Sequence, residues 1–566
     1  MRRNFVAKEF KIKKGDGKLI PYHDKITNRD ELKLVTGDII YVYHGNKNIY
    51  VGQTKHFKAR HAEHLKEPNH RYVDGKYLEV MIDFGKLINQ QSLDDIEKQL
   101  ITYVTSDYDG ANMIIDNNTS GNTSESYSGK DDVFFNIVKP FWQILYERGY
   151  VRHQSLTDVQ KSILFKYSPF NSLPKDKVSI INRIANDPGN YLIQGLAGTG
   201  KTVILTNLAA LINKKFPDSK IGIVVKSNWI DTGQKIFKSY NVNNIEVLSA
   251  LTLIRSQRHY DFIIVDESHR LRRYYSKGQH MTMDIFKDAN GNYDKDTNEL
   301  KLLGELTNNL ILMYDPSQQI RPNDIPKLDY DKYTRTHHFK KITLKTEYRI
   351  NVSNQSCNQY TSEDFMNGIL TFLQIDSLPF NKGIFTEYLK GDQPNYDCYF
   401  GVVNSISELF EYLDYNENYE PGTQNRVMAG YTRKWISKKD KTQYDWVESD
   451  NSKWRWNSGN KNWLNKKNSR NEIGSIHAVQ GIDLNYAGVI ISNDITVTNN
   501  GKIIALKDNY LDTNGKFKKD DFDETGFNSF IKNIYYVLLT RGINGVRIYF
   551  EDEKLRDYFE RFMGIK

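Results

Sequence analysis

The sequence predicts an α/β protein in which a small α+β domain precedes two domains built on parallel sheets. Three observations favour this class. After about residue 190, short apolar runs such as 221–225 (IGIVV) and 262–265 (FIIV) alternate with helix-length segments, which is typical of buried parallel strands. A glycine-rich turn at 195–202 lies between one such strand and a helix. Near the N-terminus, two runs of aromatic and β-branched residues flank a polar turn at 44–48, which indicates a β-hairpin.

Length and composition limit the classes of protein that fit. The chain has 566 residues, of which 39% are hydrophobic and 26% charged, so packed cores are expected and disorder is not. No run of about 18 apolar residues suggests a membrane span, and no apolar segment follows the basic N-terminus as in a secretory signal. The two cysteines, Cys357 and Cys398, are too few for a disulfide framework, which favours a reducing cytoplasm.

The first module begins with the hairpin, whose strands are predicted over 39–43 and 49–52. A helix follows, on which Arg60 and His64 are neighbours on one face. A second helix carries Glu97 at the edge of its apolar stripe, so this carboxylate is expected to be partly shielded from water.

The two triplets of the hairpin, YVY (41–43) and YVG (50–52), resemble the name-giving motifs of the GIY-YIG nucleases, although Tyr41 stands where the family has glycine. The resemblance covers residues 37–120 and implies hydrolysis of phosphodiester bonds. By matching position, it implies a catalytic set of Tyr43, Tyr50, Arg60, His64, Glu97 and Asn112, with Asn118 as the rival of Asn112.

The chemistry of such a set is coherent. Glu97 is the implied ligand of Mg²⁺, or of Mn²⁺, which stabilises the leaving oxygen. Arg60 is expected to neutralise the phosphate in a bidentate manner. Tyr43, with His64 nearby, could take the proton of the attacking water. Because the ordinary pKa of tyrosine is near 10, nearby cations would have to assist.

A polar segment at 121–132 (GNTSESYSGKDD) is predicted to be a linker, and an apolar helix is predicted after it over 134–150. We therefore expect the modules on either side to fold around separate cores.

The turn at 195–202 reads GLAGTGKT, which matches the phosphate-binding pattern G-x-x-x-x-G-K-[ST] between a strand and a helix. Its glycines let backbone N–H groups surround phosphates, Lys201 would reach the β- and γ-phosphates of ATP, and Thr202 would coordinate Mg²⁺. The residues expected to bind the nucleotide here are Gly195, Gly198, Thr199, Gly200, Lys201 and Thr202.

Two carboxylates follow the apolar strand at 262–265. Asp266 is expected to hold the Mg²⁺ shell, and Glu267 to orient or deprotonate the attacking water. Their position 65 residues after Lys201 strengthens the prediction of an ATPase.

From Gln160 to Arg541 the chain resembles a superfamily 1 helicase of the Schlafen group 3-like type. The matching segments are DESHRL (266–271), YDPSQQI (314–320), LKTEYRI (344–350), SIHAVQGIDL (475–484) and YVLLTRG (536–542). In the second of these, Tyr314 replaces the glycine of the family motif.

The resemblance implies two RecA-like domains with ATP between them, and it implies particular roles. Gln160 would read the adenine, although its spacing to the phosphate loop is long. Gln318 would sense the γ-phosphate, Arg349 would contact phosphate, and Arg541 would act as the arginine finger. Gly481 and Asp483 belong to the fifth motif.

A basic segment at 453–470 contains six Lys or Arg residues and no acid, within a net charge of +8 for the chain. Aromatic rings that stack on bases and cations that bind phosphates are typical of single-stranded nucleic acid binding. The predicted contacts are Trp454, Arg455, Trp456 and Lys461. Packing in a domain core is the alternative, and it is favoured for most of the tryptophans in this region.

The predicted organisation is a basic extension (1–36), a GIY-YIG domain (37–120), a linker with a helix (121–150) and two RecA-like domains (151–325 and 326–566). Such a chain would be an ATP-dependent nuclease–helicase acting on nucleic acid, expected to be DNA with a single-stranded region. It resembles bacterial anti-phage proteins. The alternatives are a repair or recombination enzyme and an ATP-gated clamp that binds nucleic acid without unwinding it.

Overall fold

The computed structural model describes residues 5–66, 77–83, 88–109, 114–115, 117, 129–171, 173–196, 198–226, 229–273, 284–287, 290–291, 294, 296–321, 323–344, 350, 360–389, 396–448, 450–459, 463–466, 468–479, 483–512 and 524–566. The chain divides into two compact units. The first comprises residues 1–188, 202–249 and 260–264, and the second comprises 189–201, 250–259 and 265–566.

The first unit opens with a sheet and the helices that cover it. In chain order its elements are β1 (Phe5–Ile12), β2 (Leu19–Pro21), α1 (Asn28–Thr36), β3 (Ile39–His44), β4 (Asn48–Thr54), α2 (Phe57–Lys66), β5 (Tyr77–Asp83), α3 (Gln90–Asp107) and β6 (Ile114–Ile115). The strand order is β2-β1-β5-β3-β4-β6. All pairings are antiparallel except that of β4 with β6, so the small α+β domain is confirmed.

The segment predicted as a basic extension contributes strands to this sheet. β1 pairs with β5 from Phe5 to Lys11. Phe10 and Ile12 pack on one face of the sheet and Phe5 on the other, as the period of two along a strand requires. The prediction of an extension is therefore wrong, because lysines alternate with apolar residues along β1 and conceal its strand pattern.

Two further helices, α4 (Lys130–Val133) and α5 (Lys139–Glu147), are joined by the π-helical turn Phe134–Val138. Their apolar stripe packs into the core formed by α3, β3 and β4, and that core continues to Val159. Residues 121–128 lie outside the described residues, so the linker stays a prediction there. The expectation that the N-terminal core closes before the linker is wrong, since the helices after the linker complete it.

The next elements alternate between strands and helices. They are α6 (Leu156–Gln160), α7 (Ile163–Lys166), α8 (Lys175–Asn186), β7 (Tyr191–Gln194), α9 (Lys201–Lys215), β8 (Ile221–Val224), α10 (Ile230–Ser239), β9 (Ile245–Leu248), α11 (Ala250–Ser256), β10 (Phe262–Val265), α12 (Glu299–Gly304), β11 (Leu310–Tyr314), α13 (Lys327–Thr336) and β12 (Lys340–Thr343). In the first unit β8 and β9 are parallel. In the second unit β7 lies between β11 and β12, and both pairings are parallel.

A seven-stranded sheet forms the rest of the second unit. The remaining elements are α14 (Ser362–Phe372), α15 (Gly383–Thr386), β13 (Phe400–Val402), α16 (Ile406–Tyr419), β14 (Asn425–Ala429), β15 (Trp446–Val447), β16 (Lys453–Trp456), β17 (Glu472–Ser475), α17 (Ile476–Val479), β18 (Leu484–Ile491), β19 (Ile495–Val497), β20 (Ile503–Ala505), α18 (Glu524–Leu539), β21 (Gly542–Phe550) and α19 (Glu553–Met563). The strand order is β13-β21-β18-β14-β17-β16-β15, and only the edge pair β15–β16 is antiparallel.

These parallel strands confirm the predicted fold class. The boundary near residue 325 between two RecA-like domains stays a prediction. In the described part of the chain, no helix is long and apolar enough to cross a membrane.

Candidate active sites

The glycine-rich turn forms a loop between β7 and α9. Gly198 and Gly200 have φ values of +82° and +79°, which L-residues with a side chain rarely adopt. A Cβ atom on Gly195 would lie 2.5 Å from the hydroxyl oxygen of Thr199, so the loop closes tightly there. The sequence pattern thus specifies the backbone of a phosphate-binding loop, since glycine is required at each of these turns.

Lys201, the first residue of α9, points back into this loop. Its Nζ donates hydrogen bonds to the carbonyl oxygens of Gly195 at 2.7 Å and Leu196 at 2.8 Å. It also lies 3.8 Å from Oδ2 of Asp315. The side chain is buried, so a single ammonium group is held at the position that phosphates would enter.

A buried polar chain continues from Lys201 within the second unit. Asp315 accepts a hydrogen bond at 2.8 Å from Nε2 of Gln318, whose Oε1 accepts one at 3.3 Å from Nη2 of Arg541. Arg541 also donates through Nε to the carbonyl oxygen of Val537 at 3.0 Å. All four linked side chains are buried, and Arg541 is only 1% exposed. The structure therefore brings together the lysine, the glutamine and the arginine that the sequence predicted.

Asp266 and Glu267 directly follow β10. Glu267 has φ +49°, a left-handed value that is uncommon for a residue other than glycine. The backbone N–H of Asp315 donates to Nδ1 of the buried His269 at 3.3 Å, which places the imidazole proton on Nε2. That Nε2 lies 3.1 Å from Oε2 of Glu267. His269 thus lies beside the carboxylate that was predicted to handle the attacking water, although Nε2 and Oε2 form no hydrogen bond with each other.

The sequence reasoning assigned no role to Asp315 or His269. Both stand inside recognised segments, in YDPSQQI and DESHRL, so their positions were a usable signal. What the sequence could not supply is their pairing across 46 positions.

The other predicted nucleotide residues lie in several parts of the chain. Thr202 follows Lys201 in α9 and belongs to the first unit. Gln160, also in the first unit, is exposed and donates to the hydroxyl of Tyr103 at 2.8 Å. Asp483 directly precedes β18. Arg349 and Gly481 lie outside the described residues, so their roles stay predictions.

A second cluster of polar side chains lies on the α2 side of the first sheet. β3 and β4 pair so that Tyr43 faces Tyr50 and Tyr41 faces Gly52. A Cβ atom on Gly52 would lie 2.4 Å from the ring of Tyr41, so the glycine of the second triplet makes room for that ring. Tyr41, which occupies the family's glycine position, is therefore part of the cluster.

Two histidines of α2 contact these tyrosines. Nε2 of His64 lies 2.8 Å from the hydroxyl of Tyr41. Nε2 of His61 donates to the carbonyl oxygen of Gly17 at 3.0 Å, so its Nδ1 accepts the 2.7 Å hydrogen bond from Tyr43. Burial lowers the pKa of His61, which keeps its ring neutral. His64 lies near Tyr43 as expected, with the ring centres 5.6 Å apart, but the Tyr43 hydroxyl donates to His61 and the hydroxyl beside His64 belongs to Tyr41.

Arg60 and Glu97 complete the cluster electrostatically. Arg60 is partly exposed and donates through Nη1 to Glu63 at 2.8 Å. Burial raises the pKa of Tyr50, and the charge of Glu97 adds to the rise, while hydrogen bonds with Tyr41 and Arg60 lower it. Burial also raises the pKa of Glu97 to about 7, and the charge of Arg60 opposes that rise. The charges of Glu97 and Arg60 therefore both act on Tyr50.

The predicted late asparagine cannot be located at either proposed position. Asn112 and Asn118 both lie outside the described residues. The buried Asn117 instead forms two hydrogen bonds with the backbone of Val51. Its Oδ1 accepts from the N–H of Val51 at 3.0 Å, and its Nδ2 donates to the carbonyl oxygen of Val51 at 2.6 Å. Asn117 thus fixes the strand that carries Tyr50. Sequence spacing alone could not distinguish it from its neighbours.

The cluster suits one divalent cation. Among the described residues, no group of three or more His, Cys, Asp or Glu side chains could hold a metal ion. Glu97 is a half-buried carboxyl whose pKa burial raises to about 7, so a bound cation would favour its ionised form. Mg²⁺ is commonly held by only one or two carboxylates and keeps several waters, which fits this donor set.

The basic tryptophan segment forms the edge of the seven-stranded sheet. Trp456 is 1% exposed and stacks on Tyr431 with ring centres 5.2 Å apart. The prediction that Trp456 contacts nucleic acid is therefore wrong, since neither face of its ring is accessible. Trp454 is half-buried and stacks on Phe410, and Arg455 lies beside it in β16, so their contact with nucleic acid stays a prediction. Lys461 lies outside the described residues.

Several proteins are similar to this chain at low identity. An uncharacterized protein of Saccharomyces cerevisiae, YPL245W, is 26% identical over 411 residues, covering 65% of this chain and 83% of the relative. The Pif1 helicase of Candida albicans is 12% identical, covers 70% of this chain and 100% of its own, and has a TM-score of 0.29. A Bacteroides Pif1 helicase, solved with ADP-AlF3 and single-stranded DNA, is 13% identical over 70% of this chain and 98% of its own, with a TM-score of 0.27.

The loop from Gly195 to Lys201, between a parallel strand and a helix, is typical of the P-loop nucleotide-binding class. The family described as Schlafen group 3, DNA/RNA helicase domain, matches residues 188–552, which is more than half of the chain. The chain therefore belongs to this family of helicase domains.

Proposed function

We propose that the chain is an ATP-driven nucleic-acid motor of the helicase type joined to a metal-dependent nuclease of the GIY-YIG kind. For the motor, the supporting observation is the buried chain from Lys201 through Asp315 and Gln318 to Arg541. It joins a phosphate-binding lysine to an arginine, so a γ-phosphate bound there would contact both cations.

In the motor, Lys201 binds the β- and γ-phosphates of ATP, and Asp266 holds the accompanying Mg²⁺. Glu267, which lies beside His269, aligns the attacking water. Arg541 neutralises the charge that develops on the transferred phosphoryl group. Because Gln318 touches both Asp315 and Arg541, it is suited to report on the γ-phosphate. Hydrolysis then drives movement along a strand, expected to be DNA with a single-stranded region.

In the nuclease, the supporting observation is that the rings of Tyr41, Tyr43, Tyr50 and His64 pack together on the α2 side of the sheet, and that the charges of Arg60 and Glu97 both act on Tyr50. Glu97 would hold one Mg²⁺ or Mn²⁺, which supplies charge stabilisation to the leaving oxygen. Arg60 binds the scissile phosphate through its guanidinium group. His64, held by the hydroxyl of Tyr41, is placed to accept a proton from the attacking water.

We further propose that the biological substrate is invading DNA, as in anti-phage defence. The combination of a cutting module and a motor in one chain supports this role, because movement along DNA would deliver successive sites to the nuclease. Plating phage on cells that carry the protein, with Lys201→Ala and Glu97→Gln as comparison variants, tests it. Equal plaque counts with and without the wild-type protein would instead favour a repair role.

The biochemical test is a plasmid-nicking assay run beside phosphate release on the wild type, Glu97→Gln and Lys201→Ala. Glu97→Gln keeps the shape of the side chain but removes its charge, so nicking should fall by orders of magnitude while DNA-stimulated ATP hydrolysis persists. Lys201→Ala should abolish ATP hydrolysis and leave the nuclease site intact.

Each half of the proposal has its own contradicting outcome. Normal ATP turnover in folded Lys201→Ala protein would refute the motor. Wild-type nicking by Glu97→Gln, or nicking that survives chelation of divalent cations, would refute the nuclease. A strand-displacement assay distinguishes an unwinding motor from an ATP-gated clamp, because a clamp hydrolyses ATP without separating strands.

A further inference from the structure

The end of α10 and the turn after it contact the helix that carries Glu97. Tyr240 is 5% exposed, and its hydroxyl lies 3.1 Å from Oγ of Ser106 near the end of α3. The same hydroxyl donates to the carbonyl oxygen of Leu164 at 3.1 Å. Lys235 of α10 forms an ion pair with Asp109, just beyond α3. All these residues lie in the first unit.

The next residue reaches the strand of the nuclease site. Asn241 has φ +53°, and its Nδ2 donates to the carbonyl oxygen of Asn117 at 2.7 Å. Asn117 in turn holds both the N–H and the carbonyl group of Val51. Val51 lies between Tyr50 and Gly52, the residue that makes room for the ring of Tyr41. Two successive hydrogen-bonding side chains therefore join this turn to the centre of β4.

We propose that Tyr240 and Asn241, which belong to the matched helicase region, are positioning residues for the nuclease site. The inference rests on the proposed nuclease function. Tyr240 fixes α3, and with it Glu97. Asn241 fixes Asn117 and thereby β4, with Tyr50. Neither residue touches the substrate; they set the distance between the metal ligand and the tyrosines.

Such positioning matters because catalysis is sensitive to small displacements of reacting groups. Glu97 lies on α3 and Tyr50 lies on β4. Their relative position therefore depends on the contacts that hold these two elements together. The turn at 240–241 contacts both elements, through Ser106 and through Asn117. The contacts of this turn therefore fix α3 and β4 relative to each other.

The test compares two asparagines of the same turn region. Asn241 and Asn244 both have left-handed backbones, with φ +53° and +58°. Both donate from Nδ2 to a carbonyl group, Asn241 to Asn117 at 2.7 Å and Asn244 to Pro217 at 2.6 Å. Glycine tolerates this backbone, so Asn241→Gly and Asn244→Gly each remove an amide without adding strain. Only the first removes the contact with the nuclease module.

We expect Asn241→Gly in the full chain to lower kcat for Mg²⁺-dependent plasmid nicking roughly 3- to 10-fold, the range of one hydrogen bond, with KM unchanged. Asn244→Gly should nick like the wild type, and both variants should hydrolyse ATP normally. Tyr240→Phe keeps the buried ring and loses only the hydroxyl, so it should produce a fall of similar size.

Hydrogen exchange at the Val51 amide supplies a measurement that does not depend on cutting. Exchange should accelerate in Asn241→Gly and not in Asn244→Gly. Equal nicking and equal Val51 exchange in the two variants would overturn the inference. If the wild type does not nick at all, the nuclease proposal fails, and with it the positioning role in cutting, whatever the exchange data show about β4.

Discussion

The phosphate-loop site and the tyrosine site are built in opposite ways. The loop draws its glycines and Lys201 from one continuous segment, and β7 and α9 position them directly. The tyrosine site is assembled from distant pairs: Tyr41 and His64 are 23 positions apart, and Asn117 and Val51 are 66 positions apart. A continuous site can be predicted from its local pattern, whereas a dispersed one depends on strand register and helix docking.

The two sites also differ in charge. The phosphate-loop site combines two buried cations, Lys201 and Arg541, with three carboxylates, Asp266, Glu267 and Asp315. The tyrosine site combines phenols and histidines with one cation, Arg60, and one carboxyl, Glu97, whose pKa is about 7. We infer that the first is arranged for an anionic nucleotide with its divalent cation, while the charge balance of the second changes as Glu97 ionises.

The largest effect should come from Arg541. Arg541→Lys keeps a positive charge but loses the fork that contacts Gln318 and that we propose binds the phosphoryl group, so kcat for ATP hydrolysis should fall by about 10³-fold or more. The measurement is steady-state phosphate release with saturating DNA.

Arg547 provides a matched control for that variant. It is also a buried arginine, but its guanidinium contacts the carbonyl groups of Cys398 and Tyr399 and the ring of Tyr412. Arg547→Lys should lower the melting temperature without a selective loss of kcat. If both variants lost ATPase activity only in proportion to their lost stability, Arg541 would be a structural residue.

The sequence predicted most of the phosphate-loop site because its chemistry requires particular residues at fixed spacing. It predicted Tyr43, Tyr50, Arg60, His64 and Glu97 as members of a second site, but it did not single out His61, which accepts the hydrogen bond of Tyr43. His61 and His64 lie on the same buried side of α2, and only the packing of that helix on β3 determines which tyrosine each one meets. The same dependence on packing explains why sequence spacing did not single out Asn117 as the residue that holds Val51.

Composition misled the prediction where charged residues are interspersed with apolar ones. Strand β1 was taken for a basic extension, and Trp456 for a nucleic-acid contact. In β16 Lys453 and Arg455 alternate with Trp454 and Trp456, so the tryptophans share one face. In β1 Phe5 packs on one face of the sheet and Phe10 and Ile12 on the other, so the charged residues lie between apolar ones on a strand that packs on both faces. A charge count does not detect this alternation.

The second prediction tests that distinction at the tryptophans. Trp456→Ala should lower the free energy of unfolding by about 3–5 kcal/mol, because it empties a fully buried position. Trp454→Ala, two residues away and half-buried, should instead weaken binding to a single-stranded oligonucleotide by about 1–3 kcal/mol. Chemical denaturation and fluorescence anisotropy measure the two effects. Unchanged affinity in Trp454→Ala would remove the segment from the nucleic-acid interface.

The third prediction concerns the unusual first triplet. Gly52→Ala should cost about 1–3 kcal/mol of stability, because the added Cβ atom would meet the ring of Tyr41 at 2.4 Å. In a Tyr41→Ala background the same substitution should cost much less, since the ring is gone. A double-mutant cycle followed by chemical denaturation measures the difference. Equal costs in the two backgrounds would show that the glycine is needed for its backbone and not for Tyr41.

The smallest expected effect is a pH dependence that belongs to the tyrosine site alone. Burial, and then the charge of Asp94, raise the pKa of Glu97 to about 7. The carboxyl is therefore about one-tenth ionised at pH 6 and about nine-tenths ionised at pH 8, so nicking at subsaturating Mg²⁺ should rise roughly tenfold over that range. Burial lowers the pKa of His61, which moves its titration towards lower pH and away from this window.

Asp94→Asn provides the decisive comparison for this profile. Removing the neighbouring negative charge lowers the pKa of Glu97, so the midpoint of the nicking profile should move to lower pH. In the absence of metal, the free energy of unfolding should change with pH in the direction opposite to nicking. Because the folded-state pKa is raised, the contribution of protonated Glu97 is fully present below about 4.5 and is lost as the pH rises through about 7. Metal-free stability should therefore fall across the window in which nicking rises. A nicking profile that does not shift in Asp94→Asn would mean that another group titrates, and Glu97 would then not be the metal ligand.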